Sequence, residues 1–336
     1  MARKFLKTND SAWLFAESHR TPMQVGMLAN FTLPEDDPDF VANLVARWRE
    51  TRDFAPPFNL LLKSLPLPGW QELTDDEIDL DYHFRHSALP SPGSQRELGV
   101  LVSRLHSAKM DRRYPLWECH VIEGLEGNRW SMYMKVHHSQ IDGVGGVRLL
   151  RRSLSTDPAA RGMLPPWSVG TRGPDQSGVV RPVLSSAQQA ARRATSRAVA
   201  KREGGPNAIG SIASVGGSLA RTYSESLLGA SDPARAVPFR APKTIFNGRI
   251  HTPRRFATQV YGIDRVRAVA KAADASINDV FLAISGGAMR RYLIEQGGLP
   301  DEPLIANVPV SVRKGEGAGV GNAITFLYST LGTDVA

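Results

Sequence analysis

His137-His138-Ser139-Gln140-Ile141-Asp142-Gly143 is the stretch on which the reading of this chain turns. It follows a strand-like run, residues 129–137, and precedes Val144-Gly145-Gly146 and a helical spacing of Val147, Leu149 and Leu150. Two adjacent histidines at the end of a strand point in opposite directions, so one can face a cleft while the other is held inside. A neutral imidazole accepts a proton at physiological pH and is a natural general base. The glycines let other groups approach closely and give the helix a clean start. Two other chemistries fit less well. His137, His138 and Asp142 could ligate a metal, but no third strong ligand cluster stands nearby, so no metal is expected. The glycines at 143, 145 and 146 lack the lysine and spacing of a P-loop and do not match a dinucleotide fingerprint.

Outward from this stretch, residues 1–154 alternate helix and strand signals. Asn9, Asp10 and Ser11 read as caps of a short helix carrying Trp13, Leu14 and Phe15. Residues 25–33 read as a buried strand. Residues 39–52 and 98–109 have helical spacing, and 117–123 pairs as a strand with 129–137 across a Gly-bearing turn. Residues 155–240 change character, with Pro158, Pro165, Pro166, Pro174 and Pro182 among Gly and Ser, and read as a crossover linker. Within them, residues 187–202 carry Arg192, Arg193, Arg197, Lys201 and Arg202 among alanines, either a solvated helix or linker or a membrane-surface helix. Residues 241–336 are compact again: a strand at 256–261, helices at 263–273 and 276–293, and strands at 305–312 and 323–328.

Composition bounds the function. The 336 residues suggest about two domains. The 42% apolar fraction is enough for a core. Cys119, the single cysteine, excludes an internal disulfide or a cysteine-built zinc site and fits a reducing compartment. No stretch approaches eighteen uninterrupted apolar residues, so no membrane span is expected. Asn9, Asp10 and Glu17 interrupt any signal-peptide core, which implies a cytoplasmic protein. The net charge of +8 allows contact with nucleic acid, anionic lipid or an anionic ligand. Nucleic acid is disfavoured, because no recognition motif or aromatic-interleaved basic patch is present.

The segment 137–143 matches HHxxxDG, the signature of the CoA-dependent acyltransferase superfamily, shared with peptide-synthetase condensation domains. Further segments narrow the resemblance. Asn9-Asp10-Ser11 with Pro22-Met23-Gln24-Val25-Gly26, Pro115-Leu116-Trp117-Glu118, Phe246-Asn247-Gly248 through Arg254-Arg255-Phe256-Ala257, Asn278-Asp279-Val280 to Arg290-Arg291-Tyr292-Leu293, and Pro309-Val310-Ser311-Val312-Arg313 with Gly321-Asn322 follow in family order. Together they resemble the bacterial wax ester synthase/acyl-CoA:diacylglycerol acyltransferase family over nearly the whole chain. Family members continue for on the order of a hundred residues, completing a domain of ordinary size. Their later SNVPGP-type motif is absent here, so the chain is expected to be C-terminally truncated.

The resemblance implies an α/β, two-domain fold like chloramphenicol acetyltransferase, with mixed sheets. It has an N-terminal domain at 1–154, a linker at 155–240 and an incomplete second domain at 241–336. It implies His138 as general base, His137 in support, Asp142 as a structural ion pair with Arg148 or a distant arginine, and Gly143 at the turn. Asn278 would either stabilise the oxyanion or cap its helix. Pro115, Leu116 and Trp117 would either line the substrate tunnel or simply pack in the core. Ser139 is not a nucleophile in this chemistry. No cofactor is implied, acyl-CoA being a substrate. The partners are acyl-CoA, diacylglycerol or a long-chain alcohol, and an anionic membrane or lipid-droplet surface touched peripherally. The alternatives are a catalytically incomplete lipid-surface protein and a condensation-type, amide-forming enzyme.

Overall fold

The computed structural model describes residues 3–6, 8–63, 68–170, 241–311 and 324–335. Two compact units are distinguished. Among the described residues the first comprises those up to 170 together with 250–258, and the second the others.

The first unit is organised by a four-stranded mixed sheet. Its strands are β2 (Gln24–Thr32), β5 (Phe84–Ala88), β6 (Trp117–Leu125) and β7 (Arg129–His137), in the order β2-β7-β6-β5. β2 and β6 run antiparallel to β7, while β5 is parallel to β6. The register sets Gly26 beside Lys135 and Lys135 beside Glu118. Alternation along β6 and β7 therefore sorts the side chains into two faces.

One face is apolar. Trp117, Cys119, Val121, Met132, Met134 and Val136 pack against Val41, Leu44, Val45 and Trp48 of helix α2 (Phe40–Glu50) and Leu149 of helix α5 (Gly143–Ser153). The opposite face receives helix α4 (Gln95–Ser107), with Leu98 and Val102 against Ile122 and Tyr133. Ser94 caps α4 by accepting from the Arg96 N–H at 3.1 Å, and Glu97 closes the box on the Ser94 N–H at 2.9 Å. That box is worth about 1 kcal/mol. A smaller sheet, β1 (Arg3–Phe5), β4 (Gly69–Glu72) and β3 (Leu60–Lys63), covers a third apolar cluster with Leu14, Met110 and Leu116.

Helix α1 (Thr8–Ala16) begins ahead of Asn9, so Asn9, Asp10 and Ser11 lie inside its first turn rather than capping it. The boundary at 154 also falls short, because residues after it still belong to the first core. In the short helix α6 (Pro166–Val169), Trp167 is fully buried, donates to the Thr51 carbonyl at 3.2 Å and meets the Trp48 ring edge-on. The expected strand at 256–261 has no ladder among the described residues. Residues 254 and 256 instead donate their N–H groups to Ser107 and Ser103 of α4, both at 2.8 Å, which places 250–258 with the first unit. The basic segment at 187–202 lies outside the described residues.

The second unit has helix α7 (Ile263–Ala272), helix α8 (Ile277–Glu295) and the antiparallel pair β8 (Ile305–Ser311) and β9 (Ile324–Thr330). A side chain at Gly286 would collide with the Leu331 carbonyl, so glycine lets α8 lie against the chain leaving β9.

Candidate active site

His137 ends β7 and His138 opens the turn that follows it. His137 is 1% exposed, whereas His138 is partly exposed. Their backbones are held by segments far apart in sequence. The His137 N–H donates to the Leu116 carbonyl at 3.0 Å, and the His138 N–H to the Met23 carbonyl at 2.8 Å. The PMQVG and PLW segments thus flank the pair through main-chain bonds.

His137 is oriented at both ring nitrogens. The Ser139 N–H donates to Nδ1 at 3.1 Å, and the Ser139 hydroxyl lies 2.7 Å from the same atom. An Nδ1 that accepts leaves the ring proton on Nε2, which faces Glu17 Oε1 at 3.4 Å. Ser139 is buried and engaged with His137.

Glu17 was not singled out as a site residue by its sequence context. Its carboxylate is 2% exposed and collects Lys109 Nζ at 3.0 Å, Arg112 Nη2 at 2.7 Å and the Met23 N–H at 3.3 Å, besides His137. Burial alone would raise its pKa. The close contacts of His137, Lys109 and Arg112 outweigh that and hold it far below the carboxylate range. Nothing local in the sequence marks this cluster, because its members come from α1's end, β7 and the segment after α4.

The His138 ring stacks on Trp13 of α1, with centroids 3.8 Å apart and planes 15° apart. The stack fixes the ring's plane. Asp142, 1% exposed, is the N-cap of α5 and accepts from the Gly145 N–H at 2.8 Å. A carboxylate there also suits the positive end of the helix dipole. Gly145 and Gly146 lie in tight surroundings: a Cβ would meet Ile141 at 3.1 Å and the Met27 sulfur at 3.2 Å. Gly143, expected to serve the turn, is instead the first residue of α5, and no described atom lies within 4 Å of a Cβ there. Glycine at 143 therefore leaves open space beside the motif.

Pro115, Leu116 and Trp117 are buried. The contacts of Trp117 are those of core packing: its indole donates to the Phe58 carbonyl at 2.8 Å and its ring stacks on His83 at 4.3 Å. Asn278 lies in the second unit as the second residue of α8 and is exposed. It is not the cap. Ser276 caps α8, accepting from the Asp279 N–H at 3.2 Å while Asp279 bonds back to the Ser276 N–H at 2.9 Å. The Asp279 carboxyl is held below its usual value by the Ser276 hydroxyl. Among the described residues no group of three or more His, Cys, Asp or Glu is placed to hold a metal ion.

Residues 6–281 match the family described as "Wax ester synthase/diacylglycerol acyltransferase catalytic domain". The chain is 39% identical over 331 residues to the O-acyltransferase WSD of Acinetobacter baylyi, spanning 96% of this chain and 67% of that one. Among solved structures, the wax ester synthase/diacylglycerol acyltransferase from Marinobacter aquaeolei VT8 superposes with a TM-score of 0.70 at 33% identity, over 99% of this chain and 68% of that chain. The first condensation domain of the calcium-dependent antibiotic synthetase reaches a TM-score of 0.51 at 15% identity, over 98% of this chain and 69% of that chain, a likeness of fold alone. The expected α/β acyltransferase fold is thereby borne out, and the chain belongs to the wax ester synthase/diacylglycerol acyltransferase family.

Proposed function

We propose that this chain transfers a long-chain acyl group from acyl-CoA to diacylglycerol, a fatty alcohol, or both, with His138 as general base. The observation that carries the reading is the split of the pair at the end of β7. His137 is buried between Ser139 and Glu17, while His138 is partly exposed and braced on Trp13. His138 takes the proton of the acceptor hydroxyl as its oxygen attacks the thioester carbonyl. The tetrahedral adduct collapses, the C–S bond breaks, and the CoA thiolate receives the proton. A positioned base of this kind contributes about 10²–10⁴-fold.

His137 supports His138 through the backbone, Asp142 holds the start of α5, and the space at Gly143 gives the substrates room. An arginine counter-ion for Asp142, the oxyanion role of Asn278 and tunnel-wall roles for Pro115 and Leu116 belong to the same proposal, whereas Trp117 packs in the core. No cofactor takes part. The acceptors are nearly insoluble, so the reaction belongs at an anionic membrane or lipid-droplet surface reached peripherally from the cytoplasm. The +8 net charge supports this, and no helix among the described residues is long and apolar enough to cross a membrane.

The test is thiol release from palmitoyl-CoA with diacylglycerol or hexadecanol as acceptor and the lipid products resolved. Acceptor-dependent release that disappears in His138→Ala is expected. Release that survives the substitution would remove His138 from the mechanism.

A further inference from the structure

The α4-covered face of the central sheet holds a buried ion pair that the proposed reaction does not use. Lys135 is fully buried and stands two residues before His137 on the same face of β7. Its ammonium reaches Glu118 Oε1 at 3.0 Å and donates to the carbonyls of Leu105 and Ala108, both at 3.0 Å. Leu105 is in the last turn of α4 and Ala108 is its C-cap. These are carbonyls that a helix end leaves without internal partners, at the negative end of its dipole. Gln24 of β2 adds a second hold, donating Nε2 to the carbonyls of His106 and Ala108.

The chain passes from this clamp straight into Lys109 and Arg112. Their side chains grip Glu17, and Glu17 faces His137 Nε2. A buried ion pair is weak evidence for stability, since desolvation cancels much of its attraction. What a lysine supplies here is a set of directional donors aimed at two carbonyls and a carboxylate.

We infer that Lys135 is a positioning residue for the catalytic end of β7. Through the clamped end of α4 it sets Lys109 and Arg112, and through them it sets the Glu17 carboxylate against His137. The catalytic part of this inference rests on the proposed reading of His138; the structural part does not.

The test uses the whole chain with Lys135→Met, Glu17→Gln and the double variant. The first readout is the ring ¹⁵N resonances of His137 in histidine-labelled protein, assigned with His137→Gln. Lys135→Met is expected to move them in the same direction as Glu17→Gln, with little further movement in the double variant. The second readout is thiol release, where Lys135→Met lowers kcat by roughly tenfold to a hundredfold with KM for palmitoyl-CoA unchanged. The loss does not multiply with that of Glu17→Gln, because both act on one chain of contacts. Unmoved His137 resonances in a folded Lys135→Met protein overturn the inference, as do fully multiplicative losses. Should Lys135→Met fail to fold, Lys135→Gln takes its place with the same outcomes, withdrawing the ammonium from the two carbonyls while leaving a polar group beside Glu118. An inactive unmodified chain counts against the acyl-transfer reading, and the resonances still decide the inference.

Discussion

The two faces of the central sheet are built from the same strands and differ in almost everything else. The face carrying Trp117, Cys119, Val121, Met132, Met134 and Val136 is a hydrophobic core. There burial pushes the Cys119 thiol up to about 12, leaving it an inert packing group. The face carrying Ser131, Tyr133, Lys135 and His137 is buried too, yet it is laced with polar contacts. Ser131 donates to Asn30 at 2.6 Å, Tyr133 meets His106 at 2.8 Å, and Lys135 and His137 reach the carboxylates of Glu118 and Glu17. Both faces bury apolar side chains, but only the α4-covered face adds directional polar contacts to them. At the end of β7 His137 is tied into the polar row, while His138, at the start of the turn that follows, is partly exposed and stacked on Trp13.

The sharpest way to break this division is at the last residue. His138→Ala is expected to lower acceptor-dependent thiol release about 10²–10⁴-fold with the melting curve little changed. A collapse of the fold instead would make His138 structural. On the apolar face, Trp117→Ala is expected to cost about 3–5 kcal/mol in urea unfolding, because a large ring is lost from a site that cannot close. A loss below about 1 kcal/mol would contradict the core role.

The faces also respond to acid in different windows. Burial lowers the His83 pKa to about 4, so the folded chain keeps this ring neutral while the unfolded chain protonates it near 6.5. Stability therefore falls as pH drops from 6.5 toward 4. Burial alone would raise Glu118, but the hydrogen bond from His120 and the charge of Lys135 outweigh it and lower the carboxyl from 4.5 to about 2. Its contribution is present above pH 4.5 and lost as pH falls toward 2. Glu17 acts in the same sense. Melting temperature against pH should show both declines, His83→Gln removing the upper and Glu118→Gln shrinking the lower, with the part owed to Glu17 remaining. The smallest effect is at Gly26, where a Cβ would meet the Tyr133 ring at 3.0 Å and His106 Nδ1 at 3.2 Å. Gly26→Ala should destabilise by about 1–3 kcal/mol, read as a lower urea midpoint.

Much of the apolar face was legible from spacing alone. The helix at 40–50 and the strands at 24–32, 117–125 and 129–137 fall within a residue or two of the periodicity reading, because burial and period coincide there. The polar face was not legible. Ser131, Tyr133, Lys135 and His137 alternate like a solvated edge, and only the packing of α4 over them turns that pattern into a buried row. Glu17 reads merely as a charge that interrupts an apolar run, since its partners are distant in sequence. The helix read at 98–109 begins three residues earlier, at Gln95, behind the Ser94–Glu97 box. The histidine pair and Asp142 were legible as a motif, but the Trp13 stack was not.

The stack of Trp13 on His138 has a practical consequence. An indole face held 3.8 Å from the proposed base is a built-in optical reporter of that base. An imidazolium over an indole draws on its π electrons and quenches its emission, whereas the neutral ring does so weakly. Subtracting the spectrum of a Trp13→Phe protein isolates this signal from the other five of the six tryptophans. The charge state of His138 can then be followed in real time as substrate arrives, without a label and without waiting for product.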